Sequence, residues 1–248
     1  MIKKEIENRC PVCYEKSKQN QGVYILVGDL NYYKCSNCKN VYLYPCNDIF
    51  QKYNTDYNSG FFRIGDIRKA SIMAFKIAEY AKVFGSKARI LEIGCGNGLT
   101  SYLLQSMGFD VVATEMDQSW SAYLCQELGI KVVASSVQDL TISDKFDIVY
   151  SSHVIEHLDS PALYFLKMQD LLVDGGISII DTPNGALIEE LKLDFKHLNT
   201  RNAKEHLNFI CPETLQKLAG LYEYEVKLIV SQNEFQSFMG VLCYYGKH

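Results

Sequence analysis

From residue 89 to the end, the chain switches repeatedly between two hydrophobic periods. Short continuous apolar runs at 89–93, 110–114, 131–134, 146–151, 176–181, 225–231 and 238–245 predict strands. Between them, near 98–107, 118–128, 160–173 and 212–220, the spacing predicts helices. Strand and helix in alternation mean a parallel sheet with helices on both faces. The connection Ser231 to Gln236 is short and polar, so the last two strands should pair as an antiparallel hairpin. The predicted fold class is therefore α/β, with seven mostly parallel strands and a reversed C-terminal hairpin. Upstream, Asp66 to Phe84 is apolar at Ile67, Ala70, Ala74, Ile77, Ala78 and Ala81 and stops at Gly85, which predicts a helix packed on that sheet.

The first 48 residues follow a different pattern. Cys10-Pro-Val-Cys13 and Cys35-Ser-Asn-Cys38 are two C-x-x-C knuckles, with strand-like runs at Gly22 to Val27 and Val41 to Tyr44. Four thiolates at this spacing suit tetrahedral zinc in a ribbon of short strands, and four protein ligands would leave the ion no open position for catalysis. So small a segment cannot bury enough apolar area by itself, and the metal would supply its folding energy. A redox reading would need a C-x-x-C beside a βαβ pattern, which is absent here. Cys46 lies outside the knuckle pattern. Residues 49–65 are aromatic and polar, with Tyr53 and Tyr57 one helical turn apart. Two readings stand for them: a linker packing its rings on the domain, or a lid hinged at Ser59-Gly60. The expected organisation is a zinc ribbon at 1–48, an aromatic linker or lid with its packing helix at 49–88, and the main domain at 89–248.

Composition narrows the partners. The chain has 248 residues, 48% of them hydrophobic and 22% charged, as in an ordinary soluble protein. Its formal net charge of −4 argues against a nucleic-acid surface. No apolar run is long enough for a membrane span and the N-terminus lacks an apolar signal core, which gives a cytoplasmic reading. The nine cysteines would then be reduced, so their roles are metal binding or packing.

The chemistry centres on Arg89-Ile-Leu-Glu-Ile-Gly-Cys-Gly-Asn-Gly98. A buried strand meets glycines at alternate positions, Gly94, Gly96 and Gly98, and a helix follows. Such a turn lets a ligand approach the backbone without a Cβ in the way. A dinucleotide fingerprint would place its third glycine at position 99, which is Leu99. Instead an acid, Glu92, precedes the turn and a second acid, Glu115, closes the next strand, where a carboxylate can take both hydroxyls of a ribose. These motifs resemble motif I and the acidic motif II of class I S-adenosylmethionine-dependent methyltransferases, whose fold is the Rossmann-like sheet described above. The resemblance implies S-adenosylmethionine as cofactor, bound by Glu92, Gly94, Cys95, Gly96, Gly98, Glu115, Met116, Ser136, Val137 and Ser152. Ser136 and Val137 stand where the family often has an acid and the residue after it framing the adenine. That is a departure from its pattern, and Gln138 and Asp139 are neighbours able to supply the contact. Trp120 is placed to stack on the adenine or to be buried against the sheet.

After the fourth strand comes Ser152-His153-Val-Ile-Glu156-His157-Leu-Asp159, which resembles the segment ending in Glu-His of many small-molecule methyltransferases. If helical, His153, Glu156 and His157 would share one face. Glu205-His206 precedes the helix at Pro212 and brings in a further histidine. Two histidines and a carboxylate form a set for a divalent metal such as magnesium or manganese. The arrangement resembles the metal site of small-RNA 2′-O-methyltransferases, with His153 where that family has Glu, and partly that of metal-assisted quinone O-methyltransferases. A metal could lower the pKa of an acceptor hydroxyl. The alternative is that His206 alone acts as base or positions the acceptor, with Glu156 and His157 behind it. Pro183-Asn184 closes the fifth strand as a turn or as a wall of the acceptor pocket. The stretch 185–211 carries Lys192, Lys196, His197, Arg201 and Lys204, which could greet an anionic group or form a solvated helix face. Cys95 is read as chosen for small size, and Cys125, Cys211 and Cys243 as packing.

Together these features resemble bacterial methyltransferases with an N-terminal zinc ribbon that act in sugar and surface-polysaccharide assembly. That implies O-methylation of a sugar, nucleotide-sugar or phosphate-bearing small molecule. RNA methylation is the alternative reaction, because one rRNA methyltransferase group also begins with a zinc site. The non-enzymatic alternative is a binding module in which the ribbon recruits a partner.

Overall fold

A computed structural model describes residues 9–15, 25–27, 30–44, 64–187, 206–232 and 237–246. In chain order the elements are β1 (Ile25–Val27), β2 (Leu30–Lys34), β3 (Val41–Leu43), α1 (Ile64–Ala81), β4 (Arg89–Ile93), α2 (Leu99–Ser106), β5 (Asp110–Glu115) and α3 (Gln118–Leu128). They continue with β6 (Lys131–Ala134), β7 (Phe146–Ser152), α4 (Pro161–Leu171), β8 (Leu172–Pro183), β9 (Asn208–Phe209), α5 (Pro212–Leu221), β10 (Tyr224–Gln232) and β11 (Ser237–Tyr244). Seven strands form one sheet in the order β10-β11-β8-β7-β4-β5-β6, mostly parallel, with β10 and β11 as the antiparallel C-terminal hairpin. A second sheet has the order β1-β2-β3-β9. The α/β expectation holds. The predicted helix over 66–84 is α1 followed by a short 3-10 turn, Lys82–Phe84.

By compactness the chain divides into two units. One comprises Lys52–Ser152, Lys167–Ile180 and Val241–His248. Its centre is β4, parallel to β5 on one side and to β7 on the other, with β6 parallel to β5. Ile90, Leu91, Val112, Ala113, Ile148 and Val149 are buried, which is why these strands read as continuous apolar runs rather than as alternation. Leu124 and Ile130, from α3 and the turn after it, form a core cluster with Cys95 and Ala113. Gly98 is in the left-handed region (φ 72°), and a Cβ there would lie 2.9 Å from Ile130 Cδ1. The last glycine of the turn is therefore required twice, for its backbone angle and for close packing.

The other unit comprises Met1–Gln51, His153–Leu166 and Asp181–Gly240. β1, β2 and β3 form an antiparallel meander, and β9, far away in the chain, adds to its edge antiparallel to β3 with Val41 opposite Phe209 and Tyr42 opposite Asn208. Buried Tyr32 packs edge-on against Phe209, with ring centroids 5.4 Å apart. Gly185 donates its N–H to the Ile210 carbonyl at 2.8 Å, and a Cβ at 185 would stand only 2.5 Å from the Phe209 carbonyl oxygen. Phe165 of α4 packs against Tyr222 and Tyr224.

Candidate functional site

The expected site residues fall into three groups, each contained in one unit. The first is the glycine turn. Gly94 N–H donates to Thr114 Oγ1 at 3.1 Å, and Cys95 N–H to the Thr114 carbonyl at 2.8 Å, so β5 holds the turn in place. Glu115, at the tip of β5, accepts from Gly96 N–H on Oε2 at 3.1 Å and from Met116 and Asp117 N–H on Oε1 at 2.8 and 3.2 Å. Three backbone donors thus fix its carboxylate beside the turn. Trp120 Nε1–H donates to the Gly96 carbonyl at 2.6 Å and its ring stacks on Tyr123, so the indole clamps the turn from the start of α3. Ser135 N–H donates to the Glu115 carbonyl, and Ser136 Oγ pairs with Asp139 in a local turn, with Val137 buried beneath.

Glu92 sits differently from Glu115. It is 4% exposed and accepts the Ser101 hydroxyl at 2.5 Å, tying β4 to α2. Burial pushes its carboxyl up to about 7, against the opposing pull of the Ser101 hydrogen bonds. Cys95 is buried, and burial raises its thiol, which fits a packing role over reactivity. Cys211 and Cys243 are also buried, whereas Cys125, expected to pack, is exposed. The helix α3 buries Ser121 and Leu124 instead, and Cys125 lies off that stripe. Met116 is exposed and Ser152, the last residue of β7, is half-buried.

The second group opens immediately after β7. Its residues do not share a helix face as expected: Ile155–His157 is a single 3-10 turn, and His153 lies before it in the left-handed region (φ 54°). An L-residue adopts that conformation only where its surroundings impose it. Here His153 N–H donates to the Asp181 carbonyl at 2.9 Å. The turned imidazole places Nδ1 3.2 Å from Glu156 Oε1 and Nε2 3.8 Å from Asp181 Oδ2. Glu156 is 1% exposed, and its Oε2 accepts the Thr182 hydroxyl at 3.0 Å. Its Oε1 is 3.9 Å from His157 Nε2, yet it has no hydrogen bond of sound geometry and remains a buried carboxylate oxygen with unused acceptor capacity. His206 is buried and meets His157 edge to face at 4.8 Å. One ligand atom each from Glu156, His157 and His206 lies within 4.8 Å of the other two.

Burial would raise the Glu156 carboxyl, but His153 beside it, with His157 and His206 beyond, reverses that and holds it well below the usual carboxylate range. Burial pushes His206 down to about 4, against the attraction of Glu156. At neutral pH His206 is therefore an uncharged base, and the ionisation of Glu156 rests on His153 more than on His206. A buried carboxylate with an open oxygen, facing a neutral imidazole, suits either a divalent cation or a proton on its way from a hydroxyl. Asp181 and Thr182, which complete this set from the end of β8, had no signal in the sequence beyond preceding Pro183. Asn184 accepts from Ala186 N–H, the turn role. Lys192, Lys196, His197, Arg201, Lys204, Cys46 and the 49–63 stretch with its proposed hinge lie outside the described residues.

The third group is the four cysteines. Cys10 and Cys38 sulfurs are 3.5 Å apart, Cys13 and Cys35 sulfurs 3.6 Å apart, and all four fall within 4.8 Å of one another. A tetrahedron with ~2.3 Å zinc–sulfur bonds has edges of about 3.8 Å, so the donor set fits. The two knuckles have the same backbone. In each, the N–H four residues after the first cysteine returns to its carbonyl, from Tyr14 to Cys10 and from Lys39 to Cys35, and both donors have positive φ. Four thiols this close cannot all ionise without a cation between them, and their mutual hydrogen bonds push Cys10 up while pulling Cys13 and Cys35 down.

A Gly-x-Gly-x-Gly turn braced by the acid of the next strand, set in a seven-stranded sheet with a reversed hairpin, defines an α/β domain of the S-adenosylmethionine-dependent methyltransferase class. A family profile described as a methyltransferase domain matches residues 67–228, and the chain belongs to that family. The cysteine segment lies outside the matched span. Among curated relatives, the ubiquinone biosynthesis O-methyltransferase of Rickettsia canadensis is 30% identical over 135 residues, 49% of this chain and 57% of that protein. The Rickettsia felis protein of the same name is 28% identical over 178 residues, 66% of this chain and 71% of that one. The fold is shared with the N-methyltransferase NodS of Bradyrhizobium japonicum in complex with S-adenosylhomocysteine (TM-score 0.52, 14% identity, 70% of this chain and 86% of that one). It is shared too with an S-adenosylmethionine-dependent methyltransferase of Clostridium acetobutylicum (TM-score 0.54, 14% identity, 71% and 91%). No described helix is long and apolar enough to cross a membrane.

Proposed function

We propose that the chain is an S-adenosylmethionine-dependent O-methyltransferase for a small-molecule hydroxyl, with His206, beside Glu156 and His157, receiving the hydroxyl proton; were the three to hold a divalent cation instead, it would acidify the hydroxyl and the proton would pass to solvent. The observation that carries this reading is the open oxygen of Glu156, buried beside two imidazoles. S-Adenosylmethionine, when bound, supplies an electrophilic methyl group on a sulfonium. Gly94, Gly96 and Gly98 present bare backbone for it, and the Glu115 carboxylate, held by three N–H groups, takes the ribose hydroxyls. Trp120 and the Ser136–Asp139 turn border the nucleoside. With the cofactor bound, His206, neutral at physiological pH, would accept the proton that the acceptor hydroxyl gives up on taking the methyl group. His153, braced by Asp181, keeps Glu156 ionised. If magnesium or manganese binds, Glu156, His157 and His206 are its ligands and the acidity of the bound hydroxyl rises. Cys10, Cys13, Cys35 and Cys38 hold a structural zinc.

The acceptor class we propose is a small molecule with neighbouring oxygens. The ribbon-plus-domain organisation favours a sugar or nucleotide-sugar of surface-glycan assembly. The similarity to ubiquinone biosynthesis O-methyltransferases favours instead an acceptor of quinone biosynthesis. The test is transfer of labelled methyl from S-adenosylmethionine to a panel of nucleotide-sugars and catechols, with and without magnesium or manganese. Product from one class, abolished in His206→Ala and Glu156→Ala while S-adenosylhomocysteine still binds, supports the reading. Failure of the wild-type chain to bind S-adenosylmethionine sinks it.

A further inference from the structure

The segment that carries His206 is also the fourth strand of the cysteine ribbon's sheet. We propose that the ribbon forms one wall of the acceptor site: Tyr32 and Asn40, acting through Asn208, are positioning residues that set His206 against Glu156 and His157. The inference rests on the reading of that cluster given above.

The contacts run in an unbroken series. From the second knuckle, Cys35 N–H donates to the Asn40 carbonyl at 2.8 Å, which fixes the backbone of Asn40. Asn40 Nδ2–H donates to Asn208 Oδ1 at 2.9 Å, and Asn208 Nδ2–H donates to the Leu158 carbonyl at 2.7 Å. Leu158 directly follows His157, so this pair of buried amides spans from the knuckle to the turn bearing Glu156 and His157. The backbone makes a parallel link: Leu43 N–H donates to the Leu207 carbonyl, and Leu207 N–H to the Glu156 carbonyl, each at 2.9 Å. Tyr32 O–H donates to the carbonyl of His206 itself at 3.1 Å. Thr214, at the start of α5, donates to the Cys38 carbonyl at 2.8 Å and closes the other end of the segment.

Asn40, Asn208 and Tyr32 are each at most 1% exposed. Asn208 is met on both sides by Asn40 and Leu158, whereas Asn40 Oδ1 is buried without a hydrogen-bond partner, so an apolar pair would fill this space at less cost. What the amides add is direction. A displacement of about 1 Å at a proton-accepting group is enough to cost a large factor in rate, and among the described residues His206 lies outside any helix or strand.

The test reads the imidazoles directly. The chain has five histidines, so 13Cε1-histidine labelling of the full zinc-containing chain gives a small set of ring signals, assigned by their loss in single His→Gln variants. Tyr32→Phe removes only the hydroxyl donated to His206, and Asn40→Ala removes the amide donated to Asn208. Both should keep one zinc per chain and bind S-adenosylhomocysteine within twofold of wild type. Both should nonetheless move the His206 and His157 ring signals by more than a linewidth. Unmoved His206 and His157 signals in Tyr32→Phe, with zinc retained, overturn the proposal. If Asn40→Ala loses zinc, Tyr32→Phe decides alone. Because the ring signals report the cluster's geometry whether or not an acceptor is methylated, failure here and failure of the functional reading are distinguishable.

Discussion

Glu92 should make the fold weaker as pH rises from about 4.5 towards 7. Its carboxyl is raised in the folded chain to about 7 from the ordinary 4.5, by burial on β4. Below 4.5 it is protonated in both folded and unfolded chains and contributes no difference. Above 4.5 the unfolded chain ionises while the folded one stays protonated, so stability falls until pH passes 7 and the difference is complete. With 1.36 kcal/mol per unit, the loss between pH 4.5 and 7.5 is about 3 kcal/mol. Glu92→Gln has the same shape and keeps an oxygen for the Ser101 hydroxyl, but it cannot ionise. The expected outcome, from urea unfolding followed by circular dichroism, is a variant whose advantage over wild type grows by about 3 kcal/mol from pH 4.5 to 7.5. The growth of the gap is the quantity to read, since the amide alters packing equally at every pH. A gap that stays constant across this range, or wild type gaining on the variant as pH rises, would refute the reasoning.

Gly98→Ala forces a side chain into the left-handed region and against Ile130, and should cost about 1–3 kcal/mol and weaken S-adenosylhomocysteine binding by calorimetry. Gly185→Ala pushes a methyl onto the Phe209 carbonyl and should lower the melting temperature by a similar energy; an unchanged melting temperature would mean that the 206–210 segment does not lie against residue 185. Elemental analysis should find one zinc per chain, lost in Cys35→Ser together with several degrees of thermal stability; a metal-free wild type that melts at the same temperature would remove the structural role.

The centre of the sheet was legible because its strands are buried on both faces. Ile90 to Ile93 and Phe146 to Ser151 stand out as apolar runs, and Gly98 and Gly129 mark turns whose left-handed backbone the structure requires. The position of helix and strand ends was less legible at residue 172, where α4 passes directly into β8 without a turn signal. Motif reasoning found Glu156, His157 and His206 but misjudged the local backbone. The shared face held only on the condition of a helix, whereas Ile155–His157 is a 3-10 turn and His153 N–H bonds to the Asp181 carbonyl, a partner far along the chain that no local pattern reveals. Asn208 and Phe209 read as ordinary polar and apolar neighbours before a helix. Their roles come from β3, and two residues are too few for periodicity to announce a strand.

That late strand has a bearing on how the chain folds during synthesis. The knuckles and β1–β3 are made before β9, so Val41 and Tyr42 find their partners only when Phe209 and Asn208 have been made. Until then β3 is a bare edge, with backbone donors and acceptors open to any neighbouring strand. A loop of such length is closed slowly, and the pairing counts among the most nonlocal in the molecule. The four cysteines are all in place well before β9, the strand that completes their sheet, has been made. A nascent chain interrupted before residue 208 therefore displays the unpaired edge of β3, open to aggregation until β9 arrives.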